Sequence, residues 1–277
     1  MASPDWQRIL GVRFFDGAAP DAVDYITRVG GYTVVPAAPA LVKIENDPAY
    51  RRALLEADLA IADSGFMVLL WRILRRRTIA RISGLKYLRI LLANPRLRER
   101  GSIFLVLPHE SSREKALVCL RKEGFEITAD DCYIAPKYFN CSHGSVSREE
   151  RERVSQKRGY SSADDALVAI LQSRKPKHIV IGIGGGMQDK LGSYLKHQLI
   201  YRPGIYCIGA APGFVTGDQV VIPMWADRFF VGWIFRIIGR PRDYLSHYWK
   251  ARLLPLLITS TVAGFRNCER ADKAPII

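Results

Sequence analysis

The residue best placed for chemistry is Asp63, which stands with Ser64 and Gly65 directly after a short apolar run at 60–62. We expect that run to be a β-strand, and a carboxylate just beyond the carboxyl end of a strand lies where α/β sheets bind ligands. There Asp63 would act as a general base on an acceptor hydroxyl. The alternative is an N-cap for the helix expected from Phe66, because Asp at that place accepts free backbone N–H groups.

A glycine-rich turn forms the second candidate. The β-branched run 179–181 predicts a buried strand, a helix is expected from Met187, and 205–208 predicts another strand. The glycines between the first strand and the helix are Gly182, Gly184, Gly185 and Gly186. Such glycines let a phosphate approach the backbone at a helix N-terminus, where Gln188 adds a polar side chain. A tight turn without a ligand is the alternative, since the stretch lacks the P-loop pattern and meets only the first part of GxGxxG.

Alternation of the expected elements predicts the fold class. Strand, turn, helix and strand around 179–208 form the βαβ unit of an open parallel sheet. The expected strands are 9–15, 32–35, 60–62, 103–107, 125–128, 179–181 and 205–208. The expected helices are 18–29, a helix from 41, another from 48, 66–77, 85–94, 113–122, 164–173 and a helix from 187. We therefore expect an α/β fold with an open, mostly parallel sheet flanked by helices.

Charge points to an anionic partner. The chain has 277 residues and a net charge of +14, and ten Arg or Lys residues lie between Arg72 and Arg100 beside one acid, Glu99. Clustered cations favour nucleic acid, a phosphate-bearing substrate or an anionic membrane face. A nucleic-acid-binding module has the least support of these, because no helix-turn-helix, zinc or RNP-like motif accompanies the cluster.

Cysteine and histidine spacing argues against a metal site. The five cysteines form no CxxC pair, and no two histidines have HxH or HxxxH spacing. We therefore expect no metal, no disulfide framework and a reducing cytoplasm. No signal peptide and no transmembrane run of about 18 apolar residues is expected. The most apolar stretches, 66–71 and 253–265, are short enough for core helices or membrane-surface segments.

The segment 225–265 differs in character from the preceding 224 residues. It interleaves aromatic rings with Arg and Lys, as in WADRFFVGWIFRIIGRPR at 225–242. This pattern is typical of a membrane interface, and it equally fits a helix pair docked on the core; both can hold. Three of its arginines, Arg236, Arg240 and Arg242, suit the oxygens of a diphosphate. The composition of 266–277 predicts a flexible tail.

In order and spacing, the motifs resemble the WecG/TagA/CpsF glycosyltransferase family. The resemblance rests on ADLAIADSGF (57–66), IGIGGGMQDK (181–190), and IGAAPGFVTGDQ (208–219) followed by the 225–242 stretch. It implies a Rossmann-like core over 1–224 and a helical C-terminal appendage over 225–265 that meets the membrane. It also implies inverting, metal-independent transfer of a hexosyl or N-acetylhexosaminyl sugar from a UDP-type donor to a polyprenyl-diphosphate-linked saccharide. The protein would act at the inner face of the plasma membrane, in exopolysaccharide or cell-surface glycan synthesis.

The same resemblance assigns residue roles. Asp63 falls on the family's proposed base, Gln188 on the Gln of its Pro-Lys-Gln-Glu motif, and Arg236 on the Arg after its aromatic stretch. The expected donor-binding residues are Ser64, Gly65, Gly184, Gly186, Gln188, Gly209 and Gly213, and the expected diphosphate ligands are Arg236, Arg240 and Arg242. The implied partners are a nucleotide sugar, a lipid-linked saccharide and an anionic membrane surface, with no nucleic acid; a homo-oligomer is compatible with them.

Several positions depart from the family pattern. Residues 36–38, Pro-Ala-Ala, replace a Thr-x-Asn motif; Ser64 interrupts Asp-Gly; Lys86 and Gly213 stand where Asp is usual. Arg242 lies one place before the usual second Arg, where Asp243 stands. A member with an altered donor, or a catalytically silent scaffold in a polysaccharide assembly complex, would carry such changes.

Overall fold

The computed structural model of the protein describes residues 5–136, 161–208 and 253–259. The strands are β1 (Asp5–Ile9), β2 (Val12–Asp16), β3 (Gly31–Val34), β4 (Leu59–Ala60), β5 (Ile103–Leu107), β6 (Cys132–Ile134), β7 (His178–Ile181) and β8 (Gly204–Cys207). The α-helices are α1 (Ala19–Val29), α2 (Ala38–Leu41), α3 (Pro48–Leu55), α4 (Gly65–Arg75), α5 (Gly84–Ala93), α6 (Glu110–Lys122), α7 (Ser161–Arg174) and α8 (Met187–Gln198). Short 3-10 helices span Val42–Glu45, Pro95–Leu97 and Ala129–Asp131.

The eight described strands form one open sheet in the order β1-β2-β4-β3-β8-β7-β5-β6. Only β1 and β2 pair antiparallel, and every other neighbouring pair is parallel. The expectation of an open, mostly parallel α/β sheet flanked by helices is confirmed. Because the parallel strands point the same way, the loops that follow them meet at one edge of the sheet.

Helices cover both faces of this sheet. On one face, α2, α3, α4, α7 and α8 pack against side chains such as Val34 and Ile181 in one buried cluster. On the other face, α1, α5 and α6 pack against side chains such as Leu105 and Tyr206 in a second cluster. Strands between two helical layers are buried on both sides, which is why β5 reads as the unbroken apolar run IFLVL.

The first expected strand, 9–15, is wrong as a single element. It is a hairpin in which Ile9 pairs with Val12 across the two-residue turn Leu10-Gly11. Both turn residues have positive φ, 54° and 83°, as a type I′ turn requires. Gly11 adopts that conformation without strain, so the turn forms inside an otherwise apolar run.

The expected strand 125–128 is also wrong, since the sixth strand is Cys132–Ile134, which pairs with β5. Phe125 and Ile127 are buried and alternate with exposed neighbours, which imitates a strand. However, Ile127 offers its carbonyl oxygen to the Arg121 Nε at 3.0 Å. Alternation reports which side chains are buried, whereas a strand also needs a partner for its backbone.

Residues 253–259 include a short helix over 254–259. Leu254, Leu257 and Ile258 are buried in the cluster formed with α3, α4 and α8. This part of the expected appendage therefore packs on the core. Among the helices that the structure describes, none is both long enough and apolar enough to cross a membrane.

Candidate active site

Asp63 lies three residues beyond β4, at the carboxyl edge of the sheet, and is half-buried. Its Oδ1 accepts a hydrogen bond from the backbone N–H of Gly84 at 2.9 Å. Gly84 is the first residue of α5, so the carboxylate faces the positive end of that helix. Within the described ranges Oδ2 has no hydrogen-bond partner, which leaves one carboxylate oxygen for a ligand hydroxyl.

The helix that follows is capped by Ser64 rather than by Asp63. The Ser64 Oγ accepts the backbone N–H of Met67 at 3.3 Å, and Gly65 begins α4 as a buried residue. The alternative role of Asp63 as the cap of this helix is therefore filled by its neighbour. Ser64 is one of the residues expected to bind the sugar donor. Its Oγ uses one lone pair for this cap, and its hydroxyl can still donate a hydrogen bond to a ligand.

Arg81 is a neighbour of Asp63 that the sequence did not single out. Its Nε donates to the backbone carbonyl oxygen of Asp63 at 2.9 Å, and a parallel bridge pairs Arg81 with Ala62. The segment 79–82 thus runs back along the end of β4 and carries a half-buried guanidinium to the site. In the sequence, Arg81 is one of ten clustered cations. No local sequence pattern predicts its pairing with Ala62.

The glycine turn after β7 has the conformation that its composition predicts. Gly184 and Gly186 have φ values of 106° and 88°, a region that side-chain-bearing residues rarely adopt. A Cβ atom added at either position would meet no heavy atom within 4 Å, so the space beside the turn is open. The N-terminus of α8 follows at once. The Gln188 N–H donates to the Gly184 carbonyl oxygen at 3.1 Å and the Gly186 N–H donates to Asp189, so the positive end of the helix dipole is what this terminus offers an anion.

Gln188 and Asp189 begin α8 with buried side chains, 1% and 2% exposed. Asp189 Oδ2 accepts the Gly186 N–H at 2.9 Å and so fixes the turn. Burial raises the pKa of the Asp189 carboxyl to about 7, against the opposing effect of that N–H. Within the described residues, Gln188 Oε1 and Asp189 Oδ1 have no hydrogen-bond partner. A buried polar atom without a partner costs about 1–3 kcal/mol, and a ligand with a donor group would relieve that cost.

The sheet order relates these two loops. β4, which precedes Asp63, and β7, which precedes the glycine turn, are separated by β3 and β8. Three interstrand spacings amount to about 14 Å, so the two loops lie at the same edge of the sheet without touching. α4, which follows β4, packs on one face of the sheet, and α1, which follows the neighbouring strand β2, packs on the other. In the same way, α8 after β7 and α6 after β5 pack on opposite faces. Both loops therefore lie at topological switch points, where open α/β sheets bind ligands.

A comparison with protein families found a match over most of the chain. The profile of the Glycosyl transferase WecG/TagA/CpsF family matches residues 7–267. The chain belongs to the WecG/TagA/CpsF glycosyltransferase family. Membership makes it a glycosyltransferase of glycan synthesis and implies a nucleotide-sugar donor and a glycan acceptor. No curated protein sequence matches the chain.

The remaining expected site residues of this WecG/TagA/CpsF member lie outside the described residues. They are Gly209, Gly213, Arg236, Arg240 and Arg242. Most of the appendage 225–265 and the whole tail 266–277 lie outside as well. The expected site residues that the structure describes are therefore Asp63, Ser64, Gly65, Gly184, Gly186 and Gln188, and Arg81 is added to them.

The family's Thr-x-Asn position is apolar in the structure as well as in the sequence. Residues 36–38 leave β3, the strand next to β4, and Ala38 is fully buried as the first residue of α2. The loop between the two candidate loops thus offers a ligand no polar side chain at these three positions. Lys86, which stands where the family usually has Asp, is exposed on α5. Within the described residues, no hydrogen bond joins its ammonium group to Asp63.

A groove of about 630 Å³ lies between α3 and α8. Its walls include Arg52, Glu56, Lys190 and His197. Lys190 pairs with Asp47 at 2.6 Å, and the Glu56 carboxylate meets His197 at 3.0 Å. The residues that line the groove do not include Asp63, so we do not assign the reaction to it.

Proposed function

We propose that this protein is an inverting glycosyltransferase. It moves a hexosyl or N-acetylhexosaminyl sugar from a UDP-type donor to a polyprenyl-diphosphate-linked saccharide in exopolysaccharide or cell-surface glycan synthesis. The observation that carries the proposal is a pair of features at one edge of the sheet: a carboxylate with an open oxygen beyond β4, and, beyond β7, a glycine turn beside a buried amide oxygen that has no partner within the described residues.

Asp63 is the proposed base. It removes the proton of the acceptor hydroxyl, whose oxygen then bonds to the anomeric carbon while the bond from that carbon to the diphosphate breaks. A proton acceptor positioned in this way contributes about 10²- to 10⁴-fold to a rate. Attack from the side opposite the leaving group inverts the anomeric configuration.

Charge on the departing diphosphate is the second requirement. The N-terminus of α8, the turn at Gly184 and Gly186, and the buried Gln188 amide form the proposed donor cradle, with Ser64, Gly65, Gly209 and Gly213. Arg81 lies beside Asp63 and is a described cation for the phosphates. Arg236, Arg240 and Arg242 complete the set in our proposal. Fixed cations favour the transition state because the leaving-group charge develops there.

The proposed place of work is the cytoplasmic side of the plasma membrane, where a lipid-linked acceptor lies. The aromatic and basic appendage 225–265 would hold the enzyme there peripherally, and the core 1–224 would carry the chemistry. No metal or cofactor enters the proposal, since arginines take the phosphate charge.

A thermal-shift screen against UDP, GDP, TDP, ADP and their sugar conjugates tests this function. A ligand that binds only the native state at a hundred times its Kd adds about 2.7 kcal/mol to the free energy of unfolding. We expect UDP and one UDP-sugar to raise Tm, and we expect Arg81→Ala and Arg236→Ala to lose the shift. Arg89→Ala removes an exposed cation from α5 and serves as the control. The absence of any shift at millimolar ligand with anionic lipid present would contradict the proposal.

The second candidate function is a catalytically silent scaffold of a polysaccharide assembly complex. The apolar residues 36–38, of which Pro36 and Ala38 are buried, favour it because they offer no polar side chain at this edge of the sheet. If the protein is a scaffold, cells that carry Asp63→Asn should produce as much glycan as cells that carry the wild-type protein. Loss of the glycan with a normally folded Asp63→Asn variant would rule it out.

A further inference from the structure

Helix α4 is apolar on the side that faces away from the core as well as on the inner side. Its inner residues Met67, Val68 and Trp71 are buried. Leu69 and Ile73 are 43% and 63% exposed, and a spacing of four residues places both on the outward side. Exposed apolar residues that adjoin one another on a protein surface often mark an interaction site. The outward side of α4 therefore calls for a partner.

Exposed cations border this apolar surface. Arg72 lies on the same helix, and Arg76 and Arg77 follow its end, all three exposed. Residues 64–98 contain no Asp or Glu. We call Leu69, Ile73, Arg72, Arg76 and Arg77 the α4 outer face. It combines apolar side chains that insert into an apolar layer with guanidinium groups that bind phosphates.

The structure also separates these arginines from the rest of the basic cluster. α4 packs on one face of the sheet and α5, with the exposed Lys86 and Arg89, packs on the other. The ten cations from Arg72 to Arg100 thus do not form one continuous basic groove. Only the α4 group has exposed apolar residues of its own helix beside it.

Charge decides between two occupants of the α4 outer face. A second copy of the chain joined through the same surface would meet mainly arginines, because residues 64–98 contain no carboxylate. Asp5 and Asp16 line a pocket beside Arg76 and Arg77, but both oxygens of Asp16 already accept hydrogen bonds, which leaves Asp5 as the one available carboxylate of that pocket. An anionic bilayer offers phosphates to the arginines and acyl chains to Leu69 and Ile73. We propose that the α4 outer face docks on the headgroup region of an anionic membrane.

This docking surface deepens one part of the proposed function, the membrane partner, which there rests on the appendage. α4 begins two residues after Asp63 and is 11 residues long, which spans about 16 Å. A bilayer against its outer face would thus lie beside the proposed base. An acceptor anchored in that bilayer would present its saccharide close to Asp63.

Flotation of the full chain with vesicles tests the surface. The vesicles are phosphatidylcholine alone, or phosphatidylcholine with roughly one-third phosphatidylglycerol. Wild type should bind only the anionic vesicles, and binding should weaken as salt rises. The paired variants Leu69→Gln/Ile73→Gln and Arg72→Gln/Arg77→Gln should each lower the partition coefficient by about tenfold or more.

Two matched controls carry the same changes elsewhere. Val118→Gln/Ile200→Gln alters exposed apolar residues outside α4, and Lys86→Gln/Arg89→Gln removes exposed cations from α5. Both should bind as wild type does. Circular dichroism and Tm of every variant establish that it is folded.

Three results would overturn the proposal. They are absence of wild-type binding to anionic vesicles, wild-type binding by both α4 variants, and a wild-type dimer that Leu69→Gln/Ile73→Gln converts to monomer. The last would make the surface a subunit interface. The nucleotide-induced Tm shift of the same variants is measured in parallel. If the shift is kept while vesicle binding is absent, the membrane proposal for α4 fails and the proposed transferase function does not.

Discussion

The carboxylate of Asp63 accepts the backbone N–H of Gly84 at 2.9 Å, which joins the end of β4 to the start of α5. This bond fixes one oxygen of the proposed base and leaves the other directed elsewhere. An asparagine at this position retains an acceptor oxygen for Gly84 and loses the ability to take a proton. Asp63→Asn is therefore a clean probe of chemistry, whereas Asp63→Ala would also release α5.

The turn after β7 should tolerate alanine at one glycine and not at the next. Gly186→Ala places a Cβ on a residue with φ of 88°, and a left-handed conformation costs a non-glycine residue about 1–2 kcal/mol. We expect a matching loss in the free energy of unfolding in urea and a smaller nucleotide-induced Tm shift. Gly185→Ala is the control, because Gly185 has no positive φ and equally open surroundings. Equal destabilisation by both variants would show that the backbone conformation is not the cause.

Gln188 should matter for ligand binding more than for folding. Gln188→Met keeps the side-chain length and removes a buried oxygen that has no partner within the described residues. We expect an unchanged or higher Tm of the free protein, since an unsatisfied buried atom costs about 1–3 kcal/mol, together with loss of the nucleotide-induced shift. Gln198→Met, at the exposed far end of α8, should leave both values as in wild type. A lower Tm with a normal nucleotide shift would make Gln188 a structural residue.

Asp189 should make the protein less stable as pH rises from about 4 to 7. Burial raises its pKa from 3.8 to about 7, so over this window the folded state holds a proton that the unfolded state releases. The free energy of unfolding then falls with rising pH, by roughly 4 kcal/mol in total. Asp189→Asn should be more stable than wild type at pH 8, with the difference vanishing near pH 4. Urea unfolding across this range measures it, and the variant Asp5→Asn, changed at an exposed site, should lose stability with rising pH as wild type does.

His178 should make the protein less stable as pH falls, whereas Asp189 makes it less stable as pH rises. Burial, aided by the charge of Lys177, lowers the pKa of His178 from 6.5 to about 4, and its Nδ1 lies 3.0 Å from the Tyr206 hydroxyl. The unfolded state therefore binds the extra proton, and stability is lost as pH falls from about 6.5 to 4, by roughly 3 kcal/mol. His178→Asn, which keeps a polar atom near the Nδ1 position, should lack this loss, while His109→Asn at an exposed site should retain it. A wild-type-like acid profile for His178→Asn would refute the assignment.

The parallel core of the fold follows from short-range pattern. The apolar runs of β5 and β7, the glycine turn before α8 and the position of Asp63 beyond β4 are all legible in the sequence, because each depends on neighbours within a few residues. The Phe125–Ile127 segment is the instructive error. Its alternating burial matches a strand, yet the backbone hydrogen bonds that define a strand go to Cys132–Ile134 instead.

Only part of the candidate site can be predicted from the sequence, because several of its contacts join residues that are far apart in the chain. Ser64 as the cap of α4, the bond from Gly84 to Asp63, and the approach of Arg81 depend on residues brought together by the path of 79–84. The burial of Asp189 depends on α8 packing over β3, where Tyr32 donates its hydroxyl to the Asp189 carbonyl at 2.5 Å. No local sequence pattern predicts a contact between residues 157 positions apart.

Acceptor-dependent release of the nucleoside diphosphate tests the central claim most directly. Purified wild type and Asp63→Asn are supplied with the nucleotide sugar that shifts Tm and a polyprenyl-diphosphate-linked saccharide. We predict release by wild type only when the acceptor is present, and a rate lower by about 10²- to 10⁴-fold in Asp63→Asn with its nucleotide-induced Tm shift intact. Release at the wild-type rate by Asp63→Asn would contradict the assignment of Asp63 as the base at this edge of the sheet.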